Sequence, residues 1–351
     1  AGVPVSIAPF EGTEINRSGF ISELQHQYIE TDYNLINGFG HIDQIKNQDD
    51  TLLLPNRPPR SEESNRSDIT RTNIYNYSNF NFFENTTATL GLSYDRLEIT
   101  NEADRKPINP KFGIVWKPLS STTFRAAVFR GMNITRTANQ TIEPTQVAGF
   151  NQFFDDPDGT IAWRYGGGLD HKFSKNISVG LEYTERKLDV PVDGASPLDW
   201  KEILGKAYVY LTPHDLVSVS AEYFYEKFNR QDYNNNEGLD NFETVNHWIP
   251  LTFSLFHPSG LSFTVKGTYV NQHGIFQTLD KSPSPGNTDF FIVDLVSNYR
   301  LPSRYGIISF GVKNLFDSRI QYQDINSTQS NSNENYFAPD LTLFTRVKLA
   351  Y

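Results

Sequence analysis

No cysteine occurs in this chain of 351 residues and methionine occurs once. Nowhere do apolar residues run for the roughly 20 positions that a membrane-spanning helix needs, and a mean hydropathy of −0.49 agrees. A helical membrane protein is therefore excluded. Helical periodicity longer than a turn or two is also missing, which sets the chain apart from an ordinary soluble enzyme of this size. The lack of cysteine fits an oxidising, periplasm-facing setting. A formal charge of −10 argues against a nucleic-acid partner. No repeat of fixed period is present, which removes a propeller. The seven histidines are scattered, and HExxH, GxSxG, P-loop and helix-opening GxGxxG patterns are all absent. No metal, no cofactor and no enzymatic activity are expected. A barrel enzyme of the phospholipase or protease type would need a Ser/His or Asp/His constellation, and His41, His171, His247 and His257 have no serine partner that the sequence places. Without a signal peptide at Ala1, the chain reads as a mature protein or a fragment.

What the chain does have is alternation. In its last stretch Leu341, Leu343, Thr345, Val347, Leu349 and Tyr351 fall on one side of a strand, with Thr342, Phe344, Arg346, Lys348 and Ala350 on the other. Ile308, Phe310 and Val312 alternate likewise against Ser309, Gly311 and Lys313. Ala88, Leu90, Leu92 and Tyr94 oppose Thr89, Gly91, Ser93 and Asp95, a strong period-two signal. Strand pairs follow along the chain: 20–30 with 34–44, 69–82 with 87–99, 109–117 with 123–130, 161–173 with 177–186, 200–212 with 215–227, 244–257 with 261–270, and 288–300 with 307–314. Residues 1–19 read as an irregular N-terminal segment, and the polar stretch 47–67 as a loop that adds nothing to a core.

Short turns thus alternate with long loops, the pattern of a transmembrane antiparallel β-barrel, in which only every second side chain meets lipid. The fold class expected is all-β, a single barrel domain over residues 1–351 with about 16 strands, short periplasmic turns and long extracellular loops. Parity requires a strand before Phe20, either a short one over 3–10 or strands upstream. Tyr75, Tyr77, Phe80, Phe82, Tyr94, Trp116, Trp163, Tyr223, Tyr225, Trp248, Tyr299 and Tyr351 are candidates for the aromatic girdles at the membrane boundaries. A soluble β-sandwich is the alternative, but its connections are not sorted so consistently by length.

Gly311 to Asp317, GVKNLFD, together with the closing strand from Pro339 to Tyr351, resembles the C-terminal end of TonB-dependent receptors. The stretches Asn109–Gly131 and Gln140–Ser174, with Tyr183–Pro191, resemble the C-terminal barrel of bacterial outer-membrane proteins that carry tetratricopeptide repeats ahead of the barrel. These resemblances imply a pore-type wall in the bacterial outer membrane. Such a wall serves polymer export or solute passage in partnership with an N-terminal periplasmic repeat region, or TonB-driven uptake with an energy-coupling partner. A scaffold or adhesin barrel is a further alternative. No plug, TonB-contacting box or tetratricopeptide repeat is present in the chain. Outer-membrane lipid and the barrel-assembly machinery, the latter meeting the terminal Tyr351, complete the expected partners.

The face of each strand opposite the apolar one predicts lumen-facing charges at Arg125, Arg164, Asp170, Glu182, Glu222, Lys266, Asp294, Lys313, Arg346 and Lys348. Rings of this kind set the field a permeating solute meets; they also pair with one another and fill a barrel. The loop 133–160 carries Glu143, Gln146, Phe150, Phe153 and Phe154, too much apolar surface to stay in water. It is a candidate constriction folded into the lumen, or a cover packed on the rim. Asp155-Asp156-Pro157-Asp158-Gly159 lacks the spacing of a calcium loop and reads as a turn. Gly166-Gly167-Gly168 marks a bend or a close approach within a strand.

Overall fold

The computed structural model describes residues 10–53, 60–100, 103–135, 141–192, 194–233, 239–277, 283–318 and 341–349. Among the described residues are eighteen strands: β1 Phe10–Ile29, β2 Tyr33–Leu53, β3 Arg60–Phe82, β4 Thr86–Ile99, β5 Ala103–Arg105, β6 Ile108–Leu119, β7 Thr122–Met132, β8 Gln146–Val147, β9 Phe150–Asn151, β10 Ile161–Ser174, β11 Ile177–Val190, β12 Leu198–His214, β13 Val217–Tyr233, β14 Leu239–Phe256, β15 Leu261–Gln277, β16 Pro283–Arg300, β17 Gly306–Lys313 and β18 Thr342–Leu349. Sixteen form one sheet in which strands neighbouring in sequence pair, and β8 with β9 forms a separate hairpin inside the long loop. The three-residue β5 pairs with β4 just ahead of β6, and Lys106-Pro107 separates the two. Proline has no N–H to donate, so the ladder breaks there, although the Pro107 carbonyl still accepts the Asp95 N–H at 3.1 Å.

Strands β1, β2 and β3 have 20, 21 and 23 residues. At about 3.3 Å per residue each is some 66 Å or more long, while a tilted strand crosses the hydrocarbon in about 9–11 residues. These strands therefore run well past the lipid. That corrects two sequence expectations: residues 10–19 belong to β1, and the 47–67 stretch is largely the ends of β2 and β3. Residues 1–9, including the short strand considered at 3–10, lie outside the described residues. The apolar alternation stops near Phe20 and Gln44 because beyond the lipid an outward side chain meets water.

The chain divides into two compact units, one comprising Ala1–Gly113, Phe129–Trp163 and Asp189–Pro197, the other Ile114–Val128, Arg164–Leu188 and Leu198–Tyr351. In the first, the cross-strand row Leu24–Phe39–Ile74–Tyr94 is exposed and apolar. The row two residues further along reads Ser22–His41–Thr72–Arg96, and the next has Asp43, Thr70 and Glu98. His41 Nδ1 and Thr72 Oγ1 are 3.0 Å apart. The opposite face changes in the reverse sense. Along β4 the buried positions pass from Thr89, Ser93 and Asp95 to Leu97 and Ile99. Leu97 and Ile99 join Ile42, Ile69, Met132, Ile134 and Ile161 in an apolar cluster. Period two is kept, but the apolar side changes face, which is what lipid giving way to water demands.

The second unit shows the same reversal. Ile249, Tyr269 and Phe291 form an exposed apolar row, followed by His247, Asn271 and Asp289. On β11, Leu181 and Tyr183 give way to Glu185 and Lys187 on one face, and Glu182, Thr184 and Arg186 to Leu188 on the other.

Candidate functional site

Glu143 lies at the centre of the densest polar cluster of the first unit. The side chains at 71, 73, 75 and 77 of β3 share a face, as do 93 and 95 of β4 and 109 and 111 of β6. The loop after β7 folds back onto that face. Asn73 Nδ2 donates to Glu143 Oε2 at 3.1 Å, and the Tyr77 hydroxyl donates to Oε1 at 2.9 Å. Arg71 Nη2 stands 4.0 Å from the same carboxylate, while its Nε donates to Asp95 Oδ1 at 2.9 Å. Asn109 Nδ2 occupies the other Asp95 oxygen at 2.6 Å. Gln152 Nε2 donates to the Tyr77 oxygen at 2.9 Å and to the Pro144 carbonyl at 2.7 Å. Lys111 donates to the Arg130 carbonyl at 3.2 Å, its ammonium 5.8 Å from the Tyr77 ring centre. Glu143 is 4 % exposed. Burial raises its carboxyl above the ordinary carboxylate range, against the opposing pull of Lys111 and Arg71.

Three further anchors hold the loop. The Ile142 N–H donates to Glu23 Oε2 at 3.0 Å, and the Gln25 amide donates to the Ile142 carbonyl. Asp158 accepts Arg17 at 2.9 Å and the Thr135 N–H at 2.6 Å, so this acidic stretch is the turn the sequence indicates. The β8–β9 hairpin turns through Ala148 and Gly149, both with positive φ. It buries Val147 and Phe150 completely. A Cβ at Gly113 would stand 2.8 Å from Val147 Cγ1 and 2.9 Å from Ala148 Cβ, so the hairpin sits where glycine leaves room.

Of the loop residues singled out in the sequence, Glu143 and Phe150 are buried in this seat and Phe153 and Phe154 are half-buried. Gln146 is exposed and pairs with Asn151 within the hairpin. Tyr75 and Tyr77 do not belong to a boundary girdle: at 2 % and 1 % exposure they lie under the loop. Trp248 likewise packs on the polar face of its strand, beside Val270 and Phe290. Phe82, Tyr94, Trp116, Tyr223 and Tyr299 are exposed as a girdle requires. Tyr351 lies outside the described residues.

In the second unit the ten charges singled out as lumen-facing share one face, as the strand registers and hydrogen bonds show. Arg125 donates to Asp170 at 3.2 Å and to Glu182 at 3.0 Å, and the Tyr208 hydroxyl reaches Asp170 at 2.5 Å. Gly168 makes room for Arg125, whose Nη2 would lie 3.1 Å from a Cβ there. Arg164 donates to Thr184 at 3.2 Å. Tyr210 donates to Glu222. Lys266 stands opposite Asp294, and Asp294 accepts the Asn314 N–H at 3.0 Å. Lys313, Arg346 and Lys348 remain exposed on β17 and β18. Part of this face is therefore mutual pairing and part is open charge. Among the described residues no group of three or more His, Cys, Asp or Glu is placed to hold a metal ion.

Residues 10–196, more than half of the chain, match the family described as TonB dependent receptor-like, beta-barrel. The chain belongs to that family. Its fold class is accordingly the antiparallel transmembrane barrel of the Gram-negative outer membrane. Among solved structures it is similar to the copper transporter OprC, at 13 % identity and a TM-score of 0.65, over 97 % of this chain and 58 % of that one. It is also similar to the FrpB iron transporter from Neisseria meningitidis, at 13 % identity and a TM-score of 0.64, over 87 % and 51 %. A ferric enterobactin receptor mutant from Pseudomonas aeruginosa aligns at 13 % identity and a TM-score of 0.56, over 91 % and 54 %. The chain spans about half the length of these structures. Comparison with curated proteins gave no match.

In this TonB-dependent receptor-like barrel, Arg71, Asn73, Asp95, Asn109 and Gln152 were not singled out from the sequence, and Tyr77 only as a girdle candidate. A signal was present: in a strand that must face lipid on one side, Arg71 and Asp95 sit on the side that does not. The pairing of 69–82 with 87–99 is legible in the sequence; what the sequence lacks is where the long loop comes to rest, which alone brings Glu143 to them.

Proposed function

We propose that this chain is the wall of a solute pathway across the outer membrane, with the seated part of the long loop, residues 141–160, as its constriction. The observation that carries this reading is that the long strands, up to the point where the faces reverse, set an exposed apolar face against a polar and charged one, in a chain of the TonB dependent receptor-like family. The charged faces line the pathway, and the exposed Lys313, Arg346 and Lys348 set its field. Uptake, coupled to an energy-transducing partner, is the direction the family favours, and the similarity to an iron and a copper transporter supports it. Polymer export alongside a tetratricopeptide-repeat region is the second reading. It is carried by the resemblance of residues 109–131 and 140–174 to barrels of that kind, and the full reading frame of the gene separates the two. Insertion through the barrel-assembly machinery would use the C-terminal strand.

Planar-bilayer recording of the full chain tests the wall. A steady conductance is expected, and replacing the loop segment 141–152 by a short Gly/Ser linker raises it. A silent, correctly inserted wild-type protein whose loop variant is equally silent overturns the reading.

A further inference from the structure

The charged face of the second unit contains a hollow of about 600 Å³ between β11 and β16, a size that takes a ligand of a few rings. Its floor is aromatic: Phe224 and Trp248 oppose each other across β13 and β14. Around that floor stand two cations, Lys206 and Lys266, and three carboxylates, Glu226, Asp294 and Glu182, the last taken up by Arg125 at 3.0 Å. Lys206 lies 5.1 Å from the Phe224 ring centre, and Glu226 accepts the Asn246 amide at 3.0 Å. Lys266 faces Asp294 across β15 and β16.

This mixture selects against most ligand classes. A polyanion meets Glu226 and Asp294, and a polycation meets Lys206 and Lys266. A purely apolar ligand would cover five charged side chains without replacing their water, at a cost burial does not recover. A polyhydroxylated neutral ring meets none of these penalties, since each hydroxyl both donates and accepts. Such a ring also presents C–H faces that lie flat on aromatic side chains.

We propose that this hollow is a binding site for neutral oligosaccharides. Trp248 and Phe224 form the stacking platform. Glu226 and Asp294 accept from sugar hydroxyls, and Lys206 and Lys266 donate to them. That such a sugar is cargo rests on the pathway reading above; that it binds does not.

The test uses the full chain in detergent and in planar bilayers, with maltohexaose, cellohexaose and xylohexaose as probes. At least one sugar is expected to change tryptophan fluorescence saturably and to interrupt the current over the same concentration range. Trp248→Phe removes the fluorescence change while keeping the current block. Glu226→Gln weakens binding about tenfold, equivalent to about 1.4 kcal/mol. The proposal is overturned if none of the three sugars binds the wild-type protein, if binding is indifferent to Glu226→Gln, if the fluorescence change survives Trp248→Phe, or if spermine or hexametaphosphate binds more tightly. Sugar binding by a non-conducting barrel keeps the site and removes the pathway; steady conductance without sugar binding does the reverse.

Discussion

Glu143 holds the loop through groups that have no water to turn to. Replacing it by alanine leaves the Asn73 amide without its acceptor and the Tyr77 hydroxyl with Gln152 alone. An unsatisfied buried polar group costs about 1–3 kcal/mol, so Glu143→Ala is expected to unseat the loop well before the sheet unfolds. Limited proteolysis within 141–160 on otherwise folded protein reads this directly. The carboxyl also gives the seat a pH dependence. Its value when seated lies above the value it has when the loop is released, with burial outweighing Lys111 and Arg71. Seating therefore binds a proton: it is most favourable below the ordinary carboxylate range and weakens as pH rises through the raised value. Hydrogen exchange of the loop amides should show more protection at pH 4.5 than at pH 8, and Glu143→Gln should flatten that difference. A larger protection at pH 8 would mean that Arg71 and Lys111 outweigh burial.

Along β4 the two sides exchange tolerance at Asp95 and Arg96. Leu92 is an exposed apolar side chain on the lipid side of the boundary, and Arg96 and Glu98 lie beyond it, paired with each other at 2.9 Å. A charge placed on the lipid face costs about 2–4 kcal/mol near the midplane and less toward the interface. Leu92→Arg should destabilise the protein by a few kcal/mol in lipid vesicles, while Glu98→Gln should fall within about 0.5 kcal/mol of wild type. The other face behaves oppositely: Leu97→Ala, at a position with no exposure, should cost about 2–5 kcal/mol. Denaturant titration of the three variants in vesicles checks the order. Equal costs for Leu92→Arg and Glu98→Gln would place the boundary elsewhere. The reversal also explains why strand ends were hard to read: a scan for a constant apolar face halts where the face changes sides, though the backbone pairing continues.

For the molecule as a whole, apolar rows such as Leu24–Phe39–Ile74–Tyr94 and Ile249–Tyr269–Phe291 need a lipid or detergent cover. The purified chain is expected to aggregate when detergent is removed and to stay folded when lipid replaces it; sedimentation in the two conditions distinguishes these. The sequence by itself determined the strand faces, the alternation of turn lengths and the set of charges that share a face. Those properties depend on residues a few positions apart, and period two is imposed by the backbone wherever a strand forms. Only the tertiary structure decided that Glu143 meets Arg71, Asn73 and Tyr77, that Tyr75 and Tyr77 lie under a loop, and that Phe224, Trp248 and Asp294 share one hollow. Each of those contacts joins residues far apart in the chain. Its existence depends on cross-strand register and on where a long loop comes to rest, neither of which any local pattern encodes.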